Sequence, residues 1–318
     1  MTPPPPDPAI YLAGPTGCGK SAVALALARR LGRAAIVNAD AFQLYRGIDV
    51  LSAAPVAADR ATVPHHLYGV LDLSENCDAV RYAALARPVI TKLAEAGILP
   101  IVVGGSGLYL KALTHGLAPT PAGDPDLRAA LDLLSLEDLV KWLQQVDPEG
   151  AARTNLKNRR YVTRNLEISL LSGRPASEIK QAFANPAPLL RAFVLSRERA
   201  DLYHRIDTRA AGLFRDGALD EVRSIDFTRL SVTAEKAIGL REIQAHLEGR
   251  MTGADCLASI AQATRRYAKR QETWFRRETA FQSVCLSPEE TPDSAAGRVL
   301  VKLRETGSPA AEIRNSKS

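Results

Sequence analysis

Gly14-Pro-Thr-Gly-Cys-Gly-Lys-Ser21 is the stretch on which the fold turns, because it satisfies G-x-x-x-x-G-K-[ST] in frame. Its flanks have the matching character. Ala9-Ile-Tyr-Leu-Ala13 is a short apolar run that reads as a buried strand, and Ser21 to Leu31 is an Ala- and Leu-rich helix closed by Gly32. Glycines let a strand-to-helix loop fold so that successive N–H groups point inward around an anion, and the helix N-terminus adds partial positive charge. Lys20 supplies a point charge for the outer phosphates and Ser21 a hydroxyl ligand for Mg²⁺. The loop specifies a polyphosphate, not a reaction.

Outward from the loop, strands and helices alternate. Ala34-Ala-Ile-Val-Asn-Ala-Asp40 reads as a second strand, a helix runs from about residue 79 to Gly97, and Ile98-Leu-Pro-Ile-Val-Val103 is a third buried strand stopped by Gly104-Gly105. That alternation implies a parallel sheet covered on both faces. After about His115 the pattern changes. Pro119, Pro121 and Pro125 mark a break, and helical periodicity without strands fills Asp126 to Phe183. Leu189-Leu-Arg-Ala-Phe-Val-Leu195 returns to strand, and helices follow from Arg199 to about Ala280. The expected architecture is α/β, a P-loop NTPase-like parallel-sheet core (9–115 and 189–285) carrying a helical insertion (116–188). Residues 1–8, Pro-rich, are expected to form a disordered leader, and 286–318 a frayed tail.

An ATP-hydrolysing P-loop protein ends another core strand in a carboxylate that helps hold magnesium. Here Ile101-Val-Val103 runs into Gly104-Gly105-Ser106, and the acid stands instead at Asp40, the end of the second strand. In a parallel sheet both the loop and Asp40 lie at carboxyl ends of strands, where ligands bind. Asp40 reads equally as metal ligand, general base or cap of the next helix.

Composition excludes several classes. The 318 residues are 46% hydrophobic and 24% charged, ordinary for a globular protein and unlike a disordered chain, coiled coil or collagen. A net charge of +6 permits a polyanionic partner without requiring one. Cys18, Cys77, Cys256 and Cys285 have no metal-ligand spacing, so zinc and disulfides are not expected and a reducing cytoplasm is. No apolar run is long enough to span a membrane.

Five ordered motifs carry a family resemblance: Gly14 to Ser21, Asn38-Ala-Asp-Ala-Phe-Gln-Leu-Tyr-Arg-Gly47, Pro64-His-His66, Val103-Gly-Gly-Ser-Gly-Leu-Tyr-Leu-Lys-Ala112 and Tyr267-Ala-Lys-Arg-Gln-Glu-Thr-Trp-Phe275. Over residues 9–285 the chain resembles the bacterial tRNA dimethylallyltransferases, or tRNA isopentenyltransferases. The resemblance implies transfer of a dimethylallyl group from dimethylallyl diphosphate to N6 of the adenosine 3′-adjacent to the anticodon (position 37), without ATP consumption. It also implies Mg²⁺, a monomer, no membrane, and a helical insertion gripping the tRNA anticodon stem-loop.

Carried over by position, the resemblance makes Gly14, Pro15, Thr16, Gly17, Cys18, Gly19, Lys20 and Ser21 the cradle of the donor diphosphate, joined by Arg205 and Arg209. Asp40 becomes the general base, with Lys20 and Ser21 as its catalytic partners and Ser21 as metal ligand. Asp40, Ala41, Phe42, Gln43, Ser106 and Arg128 match tRNA-contacting positions, as do Arg160, Tyr161, Val162, Thr163 and Arg164. Ala41 stands where the family more often has Ser; Ser21 and Ser106 stand where Thr is common.

Two basic segments acquire a use under this resemblance. Arg153, Lys157, Arg159, Arg160 and Arg164 crowd the insertion, and Arg265, Arg266, Lys269, Arg270, Arg276 and Arg277 decorate a late helix. Either alone reads as a solvated face; together they suit phosphate neutralisation. His65 and His66 read as loop-ordering residues, Trp274 and Phe275 as core, and Cys18 as filler. The rival readings are a small-molecule P-loop kinase, an adenylate isopentenyltransferase acting on free nucleotide, and a nucleic-acid-binding protein with an inert P-loop.

Overall fold

Four consecutive buried residues, Ile10–Ala13 (β1), lie inside a six-stranded parallel sheet of order β3-β2-β4-β1-β5-β6. The computed structural model describes residues 7–183 and 190–305. Along the chain β1 is followed by α1 (Lys20–Leu31), β2 (Ala34–Asn38), α2 (Asp49–Ser52), α3 (Ala57–Thr62), β3 (His65–His66), α4 (Ala79–Glu95), β4 (Leu99–Gly104) and α5 (Gly107–Thr114). Then come α6 (Pro125–Asp132), α7 (Leu136–Val146), α8 (Pro148–Arg153), α9 (Arg159–Ser172) and α10 (Ala176–Ala182). The chain closes with β5 (Arg191–Arg197), α11 (Arg199–Gly212), α12 (Ala218–Arg223), α13 (Leu240–Leu247), α14 (Gly253–Phe275), β6 (Gln282–Leu286) and α15 (Pro292–Glu305). Two units result, 7–114 with 190–305, and 115–183.

The sheet explains the apolar runs. β1 pairs with β4 (Leu12 opposite Val103) and with β5 (Leu12 opposite Phe193), so both its edges and both its faces are covered. Strands in that position have no polar face to keep, hence their near-continuous Ile, Leu and Val. The core includes Ile10, Leu12, Leu27, Ile36, Ile101 and Phe193, all at most 2% exposed. Among the described residues no helix is long and apolar enough to cross a membrane.

The 115–183 unit has its own small core of Leu131, Leu139, Leu143, Ala151, Val162 and Leu166. Three of its helices start on side-chain caps: Asp124 accepts from Leu127 N–H, Ser135 from Asp138 N–H and Asp147 from Gly150 N–H. α7 and α9 form its packed centre.

Four expectations are corrected. The frayed tail fails first, because Pro292–Glu305 is a helix against α1, and just ahead of it Gln282–Leu286 is a sixth strand, paired with β5, where the core was expected to end. Ala295, Ala296, Val299 and Leu303 are buried on that helix, and Asp293 pairs with Arg30; residues 306–318 lie outside the described residues. Second, the leader's last residues are not loose. The Asp7 carboxylate accepts the Tyr11 hydroxyl at 2.6 Å, and the Asp7 carbonyl accepts from Arg191 at 3.0 Å; residues 1–6 lie outside. Third, His65 and His66, read as loop-ordering residues, form a short edge strand on β2. Fourth, the strand expected at Leu189–Leu195 runs over Arg191–Arg197, and Leu189 lies outside the described residues.

Candidate active site

Because the strands are parallel, their carboxyl ends face one edge, and four of them carry polar groups there: the glycine loop after β1, Asp40 after β2, Ser106 after β4 and Arg197 ending β5. The loop backbone demands its glycines. Gly17 and Gly19 hold φ of 85° and 94°, and a Cβ on Gly17 would meet Ile206 at 2.9 Å. Lys20, which opens α1, is buried at 9% exposure, and Ser21 follows it on an exposed position. Cys18 is fully buried, and burial pushes its thiol up, leaving an inert spacer.

Arginines from β5 and α11 brace the loop from outside. Arg197 donates Nε to the Cys18 carbonyl at 2.9 Å and Nη1 to Asp201 and the Ser287 carbonyl. Arg205 donates Nε to the Gly17 carbonyl at 3.0 Å, and its guanidinium end lies beside Gly19. Arg209 stands 3.5 Å from the Thr16 hydroxyl. Burial pushes the Arg209 guanidinium down, and the negative charge of nearby Asp40 offsets part of that.

Asp40 is not a helix cap. The next helix, α2, starts at Asp49, and Asp40 Oδ1 instead accepts Phe42 N–H at 3.1 Å in a local turn. Asn38 locks it: Asn38 Oδ1 accepts Asp40 N–H at 2.8 Å, while its Nδ2 donates to the carbonyls of Asp40 and Leu67. The carboxylate is 8% exposed and lines a cavity of about 40 Å³ with Thr16, Arg209 and Tyr267 at its polar end. Leu51, Ile206, Leu213, Ile238 and Ile260 supply aliphatic lining, and Ser52 and Thr264 also stand on its wall. Burial, then the Asp40 charge, holds the Tyr267 and Tyr68 phenols far above their ordinary range, so both stay neutral. A wider cleft of about 690 Å³ runs from Ser21 and Ala22 past Pro55 and Tyr68 to Asp293; Asp40 does not line it.

One residue ties the walls together. Gln271 of α14, 5% exposed, accepts Thr16 N–H at 2.8 Å and donates to the Gly105 carbonyl at 2.8 Å. Gly105 must be glycine, since a Cβ would sit 2.2 Å from that carboxamide. Ser106, next along, accepts Ala41 N–H at 2.9 Å. Glycine loop, β4 turn and Asp40 turn are thereby connected by side chains. Gln43 is turned away, donating Nε2 to the Ser52 and Ala53 carbonyls at the end of α2.

The remaining sequence-predicted residues lie in the 115–183 unit. Arg160 is exposed and makes no ion pair among the described residues, and Tyr161 is 56% exposed beside it. Val162 is a correction: it is fully buried in that unit's core, so its side chain has no surface to offer a ligand. The Thr163 hydroxyl is buried without a hydrogen-bond partner. Arg128 and Arg164 both bind Glu167. Arg153 pairs with Glu149, and Arg159 donates to the Leu131, Asp132 and Leu134 carbonyls at the end of α6. On α14, Arg265 pairs with Asp207 and Arg270 lies over the Tyr267 ring, whereas Arg266 and Lys269, with Arg276 and Arg277 just past its end, are exposed without an ion pair among the described residues.

Gln271, Arg197 and Asn38 are functional neighbours that the sequence reading did not single out. Asn38 and Gln271 stood inside the quoted motifs, and Arg197 ends a strand at the ligand edge. His65 and His66 are pushed down by burial and stay neutral at pH 7. No cluster of three His, Cys, Asp or Glu able to hold a metal occurs among the described residues. Phe275 is core, and Trp274 packs on its edge.

Known proteins share both the sequence and the fold. A family model described as IPP transferase matches residues 43–278, and one described as isopentenyl transferase matches 8–66. A tRNA dimethylallyltransferase of Akkermansia muciniphila is 44% identical over 294 residues, covering 92% of this chain and 99% of that one. The full-length tRNA isopentenylpyrophosphate transferase of Bacillus halodurans superposes with a TM-score of 0.69 at 31% identity, over 95% of this chain and 98% of that one. A eukaryotic dimethylallyltransferase acting on tRNA shares the fold, with a TM-score of 0.79 at 23% identity over 98% of this chain and 81% of that one. Matched from the phosphate loop to the end of α14, the chain belongs to the IPP transferase family of prenyltransferases, the tRNA dimethylallyltransferases.

Proposed function

We propose that the chain transfers a dimethylallyl group from dimethylallyl diphosphate to N6 of the adenosine 3′-adjacent to the anticodon, position 37, in tRNA, giving N6-isopentenyladenosine. One observation carries this reading. Asp40, Arg209 and the loop residue Thr16 line one small cavity, which brings a candidate base and an arginine to the edge of the phosphate loop, where N6 and the allylic carbon of the donor would have to meet.

The N6 amine is a weak nucleophile because its lone pair is delocalised into the purine. Its attack on the allylic C1 forms the N–C bond as the C1–O bond breaks, the diphosphate leaves with the bonding pair, and the N6 proton passes to Asp40. A carboxylate that accepts Phe42 N–H, on a backbone pinned by Asn38, is fixed to orient and deprotonate that amine. Charge building on the diphosphate meets the inward loop amides, Lys20 and Arg209, dipoles and charges already in place. Mg²⁺ fits as an ion carried in by the diphosphate, with the Ser21 hydroxyl as its protein ligand, since the site offers no carboxylate cluster of its own. It would screen the leaving group's charge. Adenine 37 must leave its stack to reach Asp40, and the aliphatic lining keeps water from the allylic donor. The substrate sets the work in the cytoplasm, and the machinery described needs only one chain.

Incubation with unmodified tRNA, dimethylallyl diphosphate and Mg²⁺, followed by nucleoside mass analysis, tests the proposal. Isopentenyladenosine at position 37 is expected, without ATP. Phosphoryl transfer from ATP, or prenylation of free AMP with tRNA left untouched, would replace it with one of the rival readings.

A further inference from the structure

Glu167 is the most completely buried acid of the 115–183 unit, with no exposed side-chain surface, and the mechanism makes no use of it. Three donors converge on it. Asp124 N–H donates to Oε1 at 2.8 Å, and Arg128 approaches in fork geometry, with Nε 2.8 Å from Oε1 and Nη2 3.0 Å from Oε2. Arg164 Nη1 donates to Oε2 at 2.5 Å, and its Nη2 donates to the Pro121 carbonyl at 2.7 Å. Gly123 makes room, since a Cβ there would lie 2.0 Å from Arg128 Nη2. Two like-charged guanidinium groups are therefore held side by side around one buried carboxylate. Their outer parts remain open: the side chains of Arg128 and Arg164 are 51% and 33% exposed.

A buried ion triad is a poor device for stability, because desolvation offsets most of the attraction. It is a good device for fixing where a guanidinium points. The triad carries net charge +1, and Arg128 keeps N–H donors that Glu167 does not use. We propose that Glu167 is a positioning residue that presents Arg128 and Arg164 as a preset clamp for a phosphodiester of the RNA substrate. The inference rests on the tRNA reading above and adds to it an acid whose removal weakens binding to a polyanion.

That sign is the test. If only charge mattered, Glu167→Gln would remove a negative group near the phosphates and tighten tRNA binding. Positioning requires the reverse, a loss of about tenfold in affinity measured by filter binding without donor. Arg128→Lys, which keeps the charge but cannot make the fork, should lose a similar factor. Combined, the two should lose little more than either alone, since both release the same guanidinium; independent damage to the fold would multiply instead. Thermal unfolding of each variant accompanies the binding series, and Arg128→Lys alone decides the matter should Glu167→Gln fail to fold. Glu167→Gln binding tRNA as tightly as the parent, an unaffected Arg128→Lys, or a multiplicative double variant each overturns the proposal. A parent protein that binds no tRNA would overturn the functional reading itself.

Discussion

The carboxamide of Gln271 accepts the amide of Thr16, 255 residues earlier in the chain, at 2.8 Å. Through its second bond, to the Gly105 carbonyl, it fixes the glycine loop relative to the turn whose Ser106 holds Ala41, the neighbour of Asp40. Gln271→Leu leaves the buried Gly105 C=O unpaired, a cost of about 1–3 kcal/mol, and frees the half-buried Thr16 N–H. Single-turnover prenyl transfer should slow by at least about tenfold, since displacing reacting groups by 1 Å costs that much or more. An unchanged rate in a folded Gln271→Leu variant would remove Gln271 from the site's design.

Asp40→Asn keeps the turn but gives up the proton acceptor. Turnover should fall by about 10²–10⁴-fold with tRNA affinity retained. Single-turnover rates and binding measured on one preparation separate the two effects.

Arg160 is exposed and makes no ion pair among the described residues, unlike Arg164, which Glu167 holds. Arg160→Gln should flatten the dependence of tRNA affinity on salt by about 0.7–0.9 in log–log slope, one phosphate's worth. An identical slope denies Arg160 a phosphate contact.

Glu167 also makes the 115–183 unit sensitive to acid. Burial alone would raise its pKa, but hydrogen bonds from Arg128, Arg164 and Asp124 N–H outweigh burial and bring it below the usual value. A depressed folded pKa contributes stability that is in place above the ordinary glutamate value of about 4.3 and is lost as pH falls through the folded value. Trp142, packed against that unit's core, reports its unfolding once Trp274→Phe has removed the other indole. Between about pH 6 and pH 3 the parent should lose more stability than Glu167→Gln does. Parallel pH profiles contradict the assignment.

Leu303, 3% exposed, is part of the contact between α15 and the sheet unit's core. Leu303→Ala should cost about 2–4 kcal/mol in chemical denaturation. A truly frayed tail would make the substitution silent.

What the sequence disclosed follows from the range of the contacts involved. The loop from Gly14 to Ser21 and the strand before it are local, so spacing and apolar runs suffice to recognise them. Asp40 was legible as a position, but capping and chemistry could be separated only once α2 was seen to begin nine residues later. Gln271 and Arg197 reach the loop from the far end of the chain, and no local pattern announces such a bond. The five-residue match at Arg160–Arg164 was blind to helix faces: on α9 Tyr161 points out and Val162 points in. Ala295, Val299 and Leu303 recur every fourth residue, a helix face that the frayed-tail expectation overlooked. The strand at His65–His66 is too short to show any alternation.

The placement of β1 bears on how the polypeptide is made. Its two partners are β4 and β5, and β5 follows the whole 115–183 unit. On the ribosome, one flank of the innermost strand therefore stays open after β4 has emerged, for roughly 5–20 s at ordinary elongation rates of about 5–20 residues per second. During that interval the nascent chain displays an unpaired apolar strand, and it is in that window, before the last third is synthesised, that a chaperone has most to protect.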